Sequence, residues 1–271
     1  MPDFQQITQV PWGRFLILFF FIYLMFCVFA AFYADKILFP FPSPSTCSED
    51  QVDFYLTTQS GIKVACAHRT PTTGNGLVVL YSHGNGEDIG NLMPFLDEVS
   101  EKGIQILAYD YPGYGLSQGK PSESGCYEAI EAAYEHLTKD LGVEPGRIVV
   151  WGRSLGTGPS CYLASTSKVG GLLLETPFLS AFRTVTEIPV LPWDRFGNLG
   201  RIKNVSCPSL VIHGKLDEVI PFRQGRKIHK ELPEPKSFLE VPTATHNDLR
   251  SEGGQRYESA IDDFFNRLIE G

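Results

Sequence analysis

Apolar residues follow three different rhythms along this chain, and each predicts a different kind of element. The first is one unbroken run. Residues 15–33 are 19 apolar or aromatic side chains in succession, with Arg14 before them and Asp35-Lys36 after. At about 1.5 Å of rise per residue, a helix of that length nearly matches the ~30 Å hydrocarbon core of a bilayer. The pattern predicts a single membrane-spanning anchor over residues 15–34, behind an N-terminal flank of residues 1–14. Two other readings exist: a cleaved signal peptide, with Val28-Phe29-Ala30 as its processing site, and a helix buried in a soluble core. The uninterrupted length and the bulky Phe32-Tyr33 favour the uncleaved anchor. Arg14 and the free amine on one flank, against Lys36 on the other, predict a lumenal or extracytoplasmic position for the rest of the chain. Pro40, Pro42 and Pro44 with Ser43 and Ser45 then stiffen a spacer over residues 35–50.

The second rhythm is a series of short apolar runs at residues 77–81, 104–109, 148–151, 172–174 and 210–212, interrupted only by Gln105. Strands buried on both faces of a parallel sheet read this way. The third lies between those runs, where Tyr127, Ile130, Tyr134 and Leu137 repeat at helical spacing. Further helices are expected at 157–165, 224–232 and 257–268. Residues 54–58 and 63–67 around Ser60-Gly61 read as an antiparallel hairpin leading in. Strands separated by helices require crossover connections, so residues 51–271 are expected to form one α/β domain, a mostly parallel sheet with helices on both faces.

Charge and cysteine usage narrow the function classes. Lys plus Arg total 23 against 31 Asp plus Glu, a net charge of −8, and no basic stripe stands out in the linear sequence, so nucleic-acid binding is not expected. None of the six cysteines forms a CxxC pair, which excludes zinc-ribbon and thioredoxin-type chemistry. Cys47 and Cys66 are either free thiols or, in an oxidising compartment, a pair.

The chemistry concentrates after the run at 148–151, where Gly152-Arg153-Ser154-Leu155-Gly156 stands between a strand end and an expected helix. G-x-S-x-G in that context places a serine on a sharp, strained turn whose crowding demands glycine two residues on either side. A serine hydroxyl needs a base. Among six histidines, His246 lies in the loop between the last strand-like run and the final helix, whereas His83 and His213 read as packing at strand ends. The base needs an acid. Asp217 follows the run at 210–212, with Glu218 and Glu175 as alternatives, and Asp110 reads as a tie for the turn at 111–115. The order Ser154, Asp217, His246 runs with spacings of 63 and 29 residues. Oxyanion donors are expected from the backbone N–H of Leu155 and from Asn85 in Gly84-Asn85-Gly86, a stretch that also reads as a glycine turn before a helix starting at Glu87 or Asp88.

Taken together, Ser82-His83-Gly84-Asn85-Gly86, the turn from Asp110 to Gly115, Pro121-Ser122-Glu123, the glycine-flanked serine, Ile212-His213-Gly214 with Asp217, and Thr245-His246-Asn247-Asp248 resemble one branch of the α/β-hydrolases. The chain looks similar, over about residues 37–270, to the membrane-associated abhydrolase-domain serine hydrolases, which include protein depalmitoylases and lysophospholipid or monoacylglycerol lipases. The resemblance implies the α/β-hydrolase fold for the catalytic domain, with Ser154 as nucleophile, Asp217 as acid and His246 as base. Depalmitoylases of that group carry an N-terminal cysteine cluster; this chain has Cys27 inside an apolar span.

The expected reaction is acyl transfer to Ser154 followed by hydrolysis, with no metal or organic cofactor. Residues 178–200 have room for a small cap, in which Phe182, Trp193 and Phe196, with Val190 and Leu191, either line an acyl pocket or pack a connection onto the core. An anchor plus an apolar cap points to lipid or acylated esters and thioesters. A membrane-tethered serine peptidase and a non-catalytic hydrolase-fold scaffold are the alternatives, and a scaffold gains nothing from a strained serine turn.

Overall fold

The computed structural model describes residues 12–39, 45–184, 186 and 189–270, in two compact units, residues 1–40 and 41–271. Pro40, Pro42, Ser43 and Pro44 of the expected spacer lie outside the described residues. In the first unit, α1 (Trp12–Leu38) runs longer than the apolar core of its sequence. Its Trp12–Lys36 stretch has a mean hydropathy of 2.8 and is long and apolar enough to cross a membrane. Phe19, Phe20 and Met25 are among its exposed side chains.

The second unit is built on an eight-stranded sheet in the order β1-β2-β4-β3-β5-β6-β7-β8. The hairpin β1 (Phe54–Thr57) and β2 (Lys63–Arg69) is antiparallel, and β2 also pairs antiparallel with β4 (Gln105–Tyr109). From β4 onward, β3 (Val78–Ser82), β5 (Ile148–Arg153), β6 (Gly171–Glu175), β7 (Ser209–Gly214) and β8 (Lys236–Val241) are all parallel. Every residue of β3, β6 and β7 is buried, which explains their continuous apolar lettering.

Helices cover both faces. On one, α2 (Ile89–Glu101) and α7 (Leu249–Glu270) bury Ile89, Leu96, Ile261 and Phe264 against Val79, Ile106, Val149 and Leu210 of the sheet. On the other, α3 (Glu123–Glu135), α4 (Thr157–Thr166) and α6 (Phe222–Glu231) pack on β4, β5 and β7, with the short α5 (Asn198–Arg201) beside α4. α2 was not signalled by periodicity; Pro94 interrupts its lettering, and its start is defined by Asp88, whose side chain accepts from the Asn91 N–H. α7 begins at Leu249, eight residues before the expected 257, through a bend at Gly254 (φ 47°).

The connections fix where chemistry can occur. From β3 the chain moves one way to β4 and then crosses back over β3 to β5. That reversal opens a crevice at the carboxyl ends of β3 and β5, the position at which open α/β sheets bind ligands. The Gly84-Asn85-Gly86 loop leaves β3 there, and Ser154 leaves β5 there.

Candidate active site

Ser154 occupies the left-handed region of backbone space, with φ 51°. For a non-glycine residue this conformation costs on the order of 1 kcal/mol and persists only where its surroundings impose it. Here they do. The β5 strand ends at Arg153 and α4 starts at Thr157, leaving a single tight turn over Ser154–Gly156. A Cβ on Gly152 would run into the Gly156 carbonyl, and one on Gly156 would run into the Ser82 carbonyl of β3. Both glycines are therefore required by close backbone approach, and the Ser154 carbonyl is tied down by the Thr157 hydroxyl at 2.7 Å.

Three side chains from three loops meet at that turn. His246 Nε2 lies 2.9 Å from Ser154 Oγ, and His246 Nδ1 lies 2.9 Å from Asp217 Oδ2. A carboxylate only accepts, so Nδ1 carries the proton and Nε2 is left to accept from the serine hydroxyl. The loops bearing the acid and the base are joined directly: Lys215 N–H donates to the Val241 carbonyl at 2.9 Å and Leu216 N–H to the Ala244 carbonyl at 3.0 Å. Within the His246 loop, Thr245 N–H donates to Asp248 Oδ1 at 2.6 Å.

Asp217 is buried and accepts more than the histidine. Its Oδ1 takes the backbone N–H groups of Val219 at 2.9 Å and Ile220 at 2.7 Å. Its Oδ2 lies 3.3 Å from Nε2 of His213, which also donates to the Ile220 carbonyl at 2.9 Å. Burial alone would push this carboxyl up, but the bonds from His213, His246 and the Ile220 amide overcome it and hold the group far below the usual carboxylate range. Asp217 is thus the carboxylate that lies against His246. Glu218 is exposed on the same loop, and Glu175 points elsewhere, accepting from Trp151 Nε1 at 3.2 Å and from the Tyr257 hydroxyl at 2.5 Å.

The loop after β3 is held from behind. Asp110 Oδ1 accepts from the Ile89 N–H at 2.9 Å and lies 3.4 Å from His83 Nε2, while its Oδ2 packs so closely on Gly115 of its own turn that a Cβ there would overlap it. His83 Nδ1 donates to the Gly84 carbonyl at 2.8 Å, and the Tyr111 hydroxyl to the His83 carbonyl at 2.7 Å. Asn85 accepts on its side-chain oxygen from the Tyr114 hydroxyl. Leu155 is buried at the start of the turn after Ser154. Asn85 and Leu155 therefore sit on the two loops that border the crevice.

Two further contacts were not read from the sequence. Glu87 pairs with the Arg153 guanidinium through one oxygen and accepts from the Gly84 N–H at 2.8 Å through the other. Arg153 Nη2 in turn donates to Asn247 Oδ1 at 3.2 Å. This chain joins the loop after β3, the serine turn and the His246 loop. The other is the His213 contact with Asp217. Arg153 reads as an ordinary polar position because its partners lie 66 and 94 residues away, and His213, only four residues from Asp217, reads as packing at a strand end.

The three cap residues separate. Phe196 is fully buried, with φ 50°; its ring stands edge-on to Tyr127 at 5.6 Å and to Phe178 at 6.3 Å, and its N–H donates to Glu123 at 2.7 Å. A Cβ on Gly158 of α4 would strike that ring. Phe196 therefore packs the connection onto the core, the second of the two readings. Phe182 and Trp193 are only partly buried, and Phe182 N–H donates to Asp194 at 2.9 Å. Cys47 and Cys66 are free, buried thiols rather than a pair.

The family follows from comparison with known proteins. Residues 78–193 match the family model described as the alpha/beta hydrolase fold. The chain is 38% identical over 205 residues to the alpha/beta hydrolase domain-containing protein aho-3 of Caenorhabditis elegans, covering 74% of this chain and 62% of that one. It is 33% identical over 213 residues to the human alpha/beta hydrolase domain-containing protein 17B, covering 77% of this chain and 74% of that one. Among solved structures, the esterase Pf2001 of Pyrococcus furiosus shares the fold at a TM-score of 0.68 and 16% identity, over 80% of this chain and 91% of that one. The chain belongs to the α/β-hydrolase family, in the group of alpha/beta hydrolase domain-containing proteins that includes 17B. It spans slightly less than two thirds of the length of the first of these relatives.

Proposed function

We propose that this protein is a membrane-anchored serine hydrolase that cleaves carboxylic ester or thioester bonds of lipid or acylated substrates. The observation that carries the reading is the continuous chain Asp217–His246–Ser154, two 2.9 Å hydrogen bonds ending on a serine held at positive φ. In the proposed reaction, Ser154 Oγ attacks the acyl carbonyl as its proton passes to His246 Nε2. The ionised Asp217 stabilises the resulting imidazolium through Nδ1. The backbone N–H groups of Leu155 and Asn85 receive the oxyanion, a contribution on the order of 3–4 kcal/mol per donor in related chemistry. His246 then gives its proton to the departing alcohol or thiol, and finally takes one from the water that releases the acid.

In the same reading residues 15–34 anchor the chain, residues 35–50 are a spacer and residues 51–271 are the catalytic domain. The apolar helix supports the anchor, and the resemblance to lipases and depalmitoylases supports acyl substrates. Half-buried Phe182 and Trp193 are candidates for contact with the acyl chain. A panel of nitrophenyl esters, acyl-glycerols, lysophospholipids, S-acylated peptides and unacylated peptides tests this with the full chain in detergent. Rates that rise with acyl-chain length on esters or thioesters are expected. Cleavage of unacylated peptides with no turnover of acyl substrates would establish the peptidase instead.

A further inference from the structure

The net charge of −8 hides one surface of opposite sign. Helix α6 presents Arg223, Arg226, Lys227 and Lys230 at i, i+3, i+4 and i+7, all exposed, while Gln224, Gly225 and Ile228 on its other face are buried. In the linear sequence these four cations are interleaved with the inward-facing residues, and only the helix gathers them. Lys203 stands nearby, 3.7 Å from Glu231. Glu231, which also pairs with Lys227 at 2.7 Å, is the carboxylate that α6 itself contributes. The stripe adjoins the candidate active site by connectivity. Pro221 caps α6 directly after the loop that carries Asp217, and α6 runs back along the sheet from that end. On the same loop Leu216 and Val219 are exposed, at 58% and 48%, on either side of the buried Asp217. Glu218 is the exposed acid among them, and Lys215 is paired with Glu240 at 3.5 Å.

Exposed apolar side chains bordered by a row of cations are the pattern of an interfacial membrane contact, with headgroup attraction along the stripe and shallow insertion at the apolar tip. We propose that the α6 stripe, with Leu216 and Val219, docks the catalytic domain on a bilayer surface rich in anionic lipid, bringing the Asp217 loop to the membrane. Charge complementarity identifies the occupant as a lipid surface, because the exposed apolar pair on the loop that leads into the cations has no counterpart in a nucleic-acid backbone. The inference rests on the proposed anchor only in that α1 keeps the domain close to a bilayer. Anionic lipid is concentrated in the cytoplasmic leaflet, so this contact favours a cytoplasmic position for the domain over the one suggested by the single flanking charges of α1.

The test uses the full chain reconstituted in vesicles of phosphatidylcholine alone or of a two-to-one mixture with phosphatidylserine. All six native cysteines are buried, so Leu216→Cys takes a polarity-sensitive dye added from outside. Recovery of protein with both vesicle types tests the anchor, and the difference between them tests the stripe, independently of any hydrolysis. Dye emission should be about twofold higher with phosphatidylserine and should return to the phosphatidylcholine level at about 0.5 M salt. Combining R226E, K227E and K230E should abolish the difference. The combination R226Q, K227Q and K230Q, which adds no repulsion with Glu231, should reduce it. Equal emission in the two vesicle types, or a difference that survives charge reversal in a folded variant, overturns the proposal. So does a dye response to polyglutamate or RNA in the absence of any response to phosphatidylserine.

Discussion

Nε2 of His213 lies 3.3 Å from Oδ2 of Asp217, the same carboxylate oxygen that meets His246 at 2.9 Å. Two imidazoles therefore share one buried acceptor, and the second fixes the acid in the rotamer that orients the first. His213 is itself immobilised: Gly225 of α6 packs so closely on its ring that a Cβ there would overlap Nδ1. His213→Leu removes the donor but keeps the bulk. It should lower kcat/KM about tenfold or more while leaving a folded protein, because a buried carboxylate oxygen loses a hydrogen bond. Steady-state kinetics alongside a thermal melt check this. An unchanged kcat/KM would show that the backbone N–H groups of Val219 and Ile220 suffice to hold Asp217.

The depressed titration of Asp217 makes a pH prediction with a definite sign. Its folded pKa lies below its unfolded value of about 3.9, so its contribution to stability is complete above that value and is lost as pH falls through it toward the folded pKa. Asp217→Asn should therefore show its largest loss of Tm relative to wild type above about pH 5, and the gap should narrow below about pH 4. Its activity should fall about a thousandfold or more even where it is fully folded, since the amide fails to stabilise the imidazolium. Paired melts across pH measure the first effect and neutral-pH kinetics the second.

Arg153 links Glu87 to Asn247, and with them the three loops of the crevice. Arg153→Met and Glu87→Gln should each reduce kcat more than they raise KM. The double variant should cost little beyond the worse single one, because both break the same connection. Additive losses in a double-mutant cycle would mean that the two side chains act separately.

Behind the loop after β3, Asp88 gathers Ser45 Oγ at 3.2 Å, Thr46 N–H at 2.7 Å and the Thr46 hydroxyl, while capping α2. Gly90 lies so close to residues 46 and 47 that any Cβ would strike their backbone. Asp88→Ala should lower stability by about 1–2 kcal/mol, the usual range for a lost helix cap, and Gly90→Ala by more. Denaturant melts of both variants measure the order, and a neutral Gly90→Ala would contradict the close packing of residues 45–47 on α2.

Much of the framework was legible because it is written in local signals. The buried parallel strands β3, β5, β6 and β7 announce themselves as continuous apolar runs, and the serine turn by two glycines that the backbone approach demands. That Asp217 and His246 come close to Ser154 follows from their positions after β7 and β8, but which of Asp217, Glu218 and Glu175 lies against the imidazole depends on packing. Helix α2 was obscured by Pro94, and the early start of α7 by the glycine bend at 254. The cap could not be read at all: whether an aromatic such as Phe196 faces a substrate or Gly158 depends on packing, and both readings share one lettering. Arg153, Glu87 and the α6 stripe were invisible for a different reason, because charged residues carry meaning only once folding chooses their neighbours.

Activation of Ser154 as a nucleophile is read out by a fluorophosphonate probe, since such probes modify serines whose proton a neighbouring base removes. Detergent-solubilised wild-type protein should be labelled, and Ser154→Ala should not, while His246→Ala keeps Ser154 but loses most of the labelling rate. A folded wild-type protein that takes no label, or a Ser154→Ala variant that labels as well as wild type, would mean that Ser154 is not the activated nucleophile.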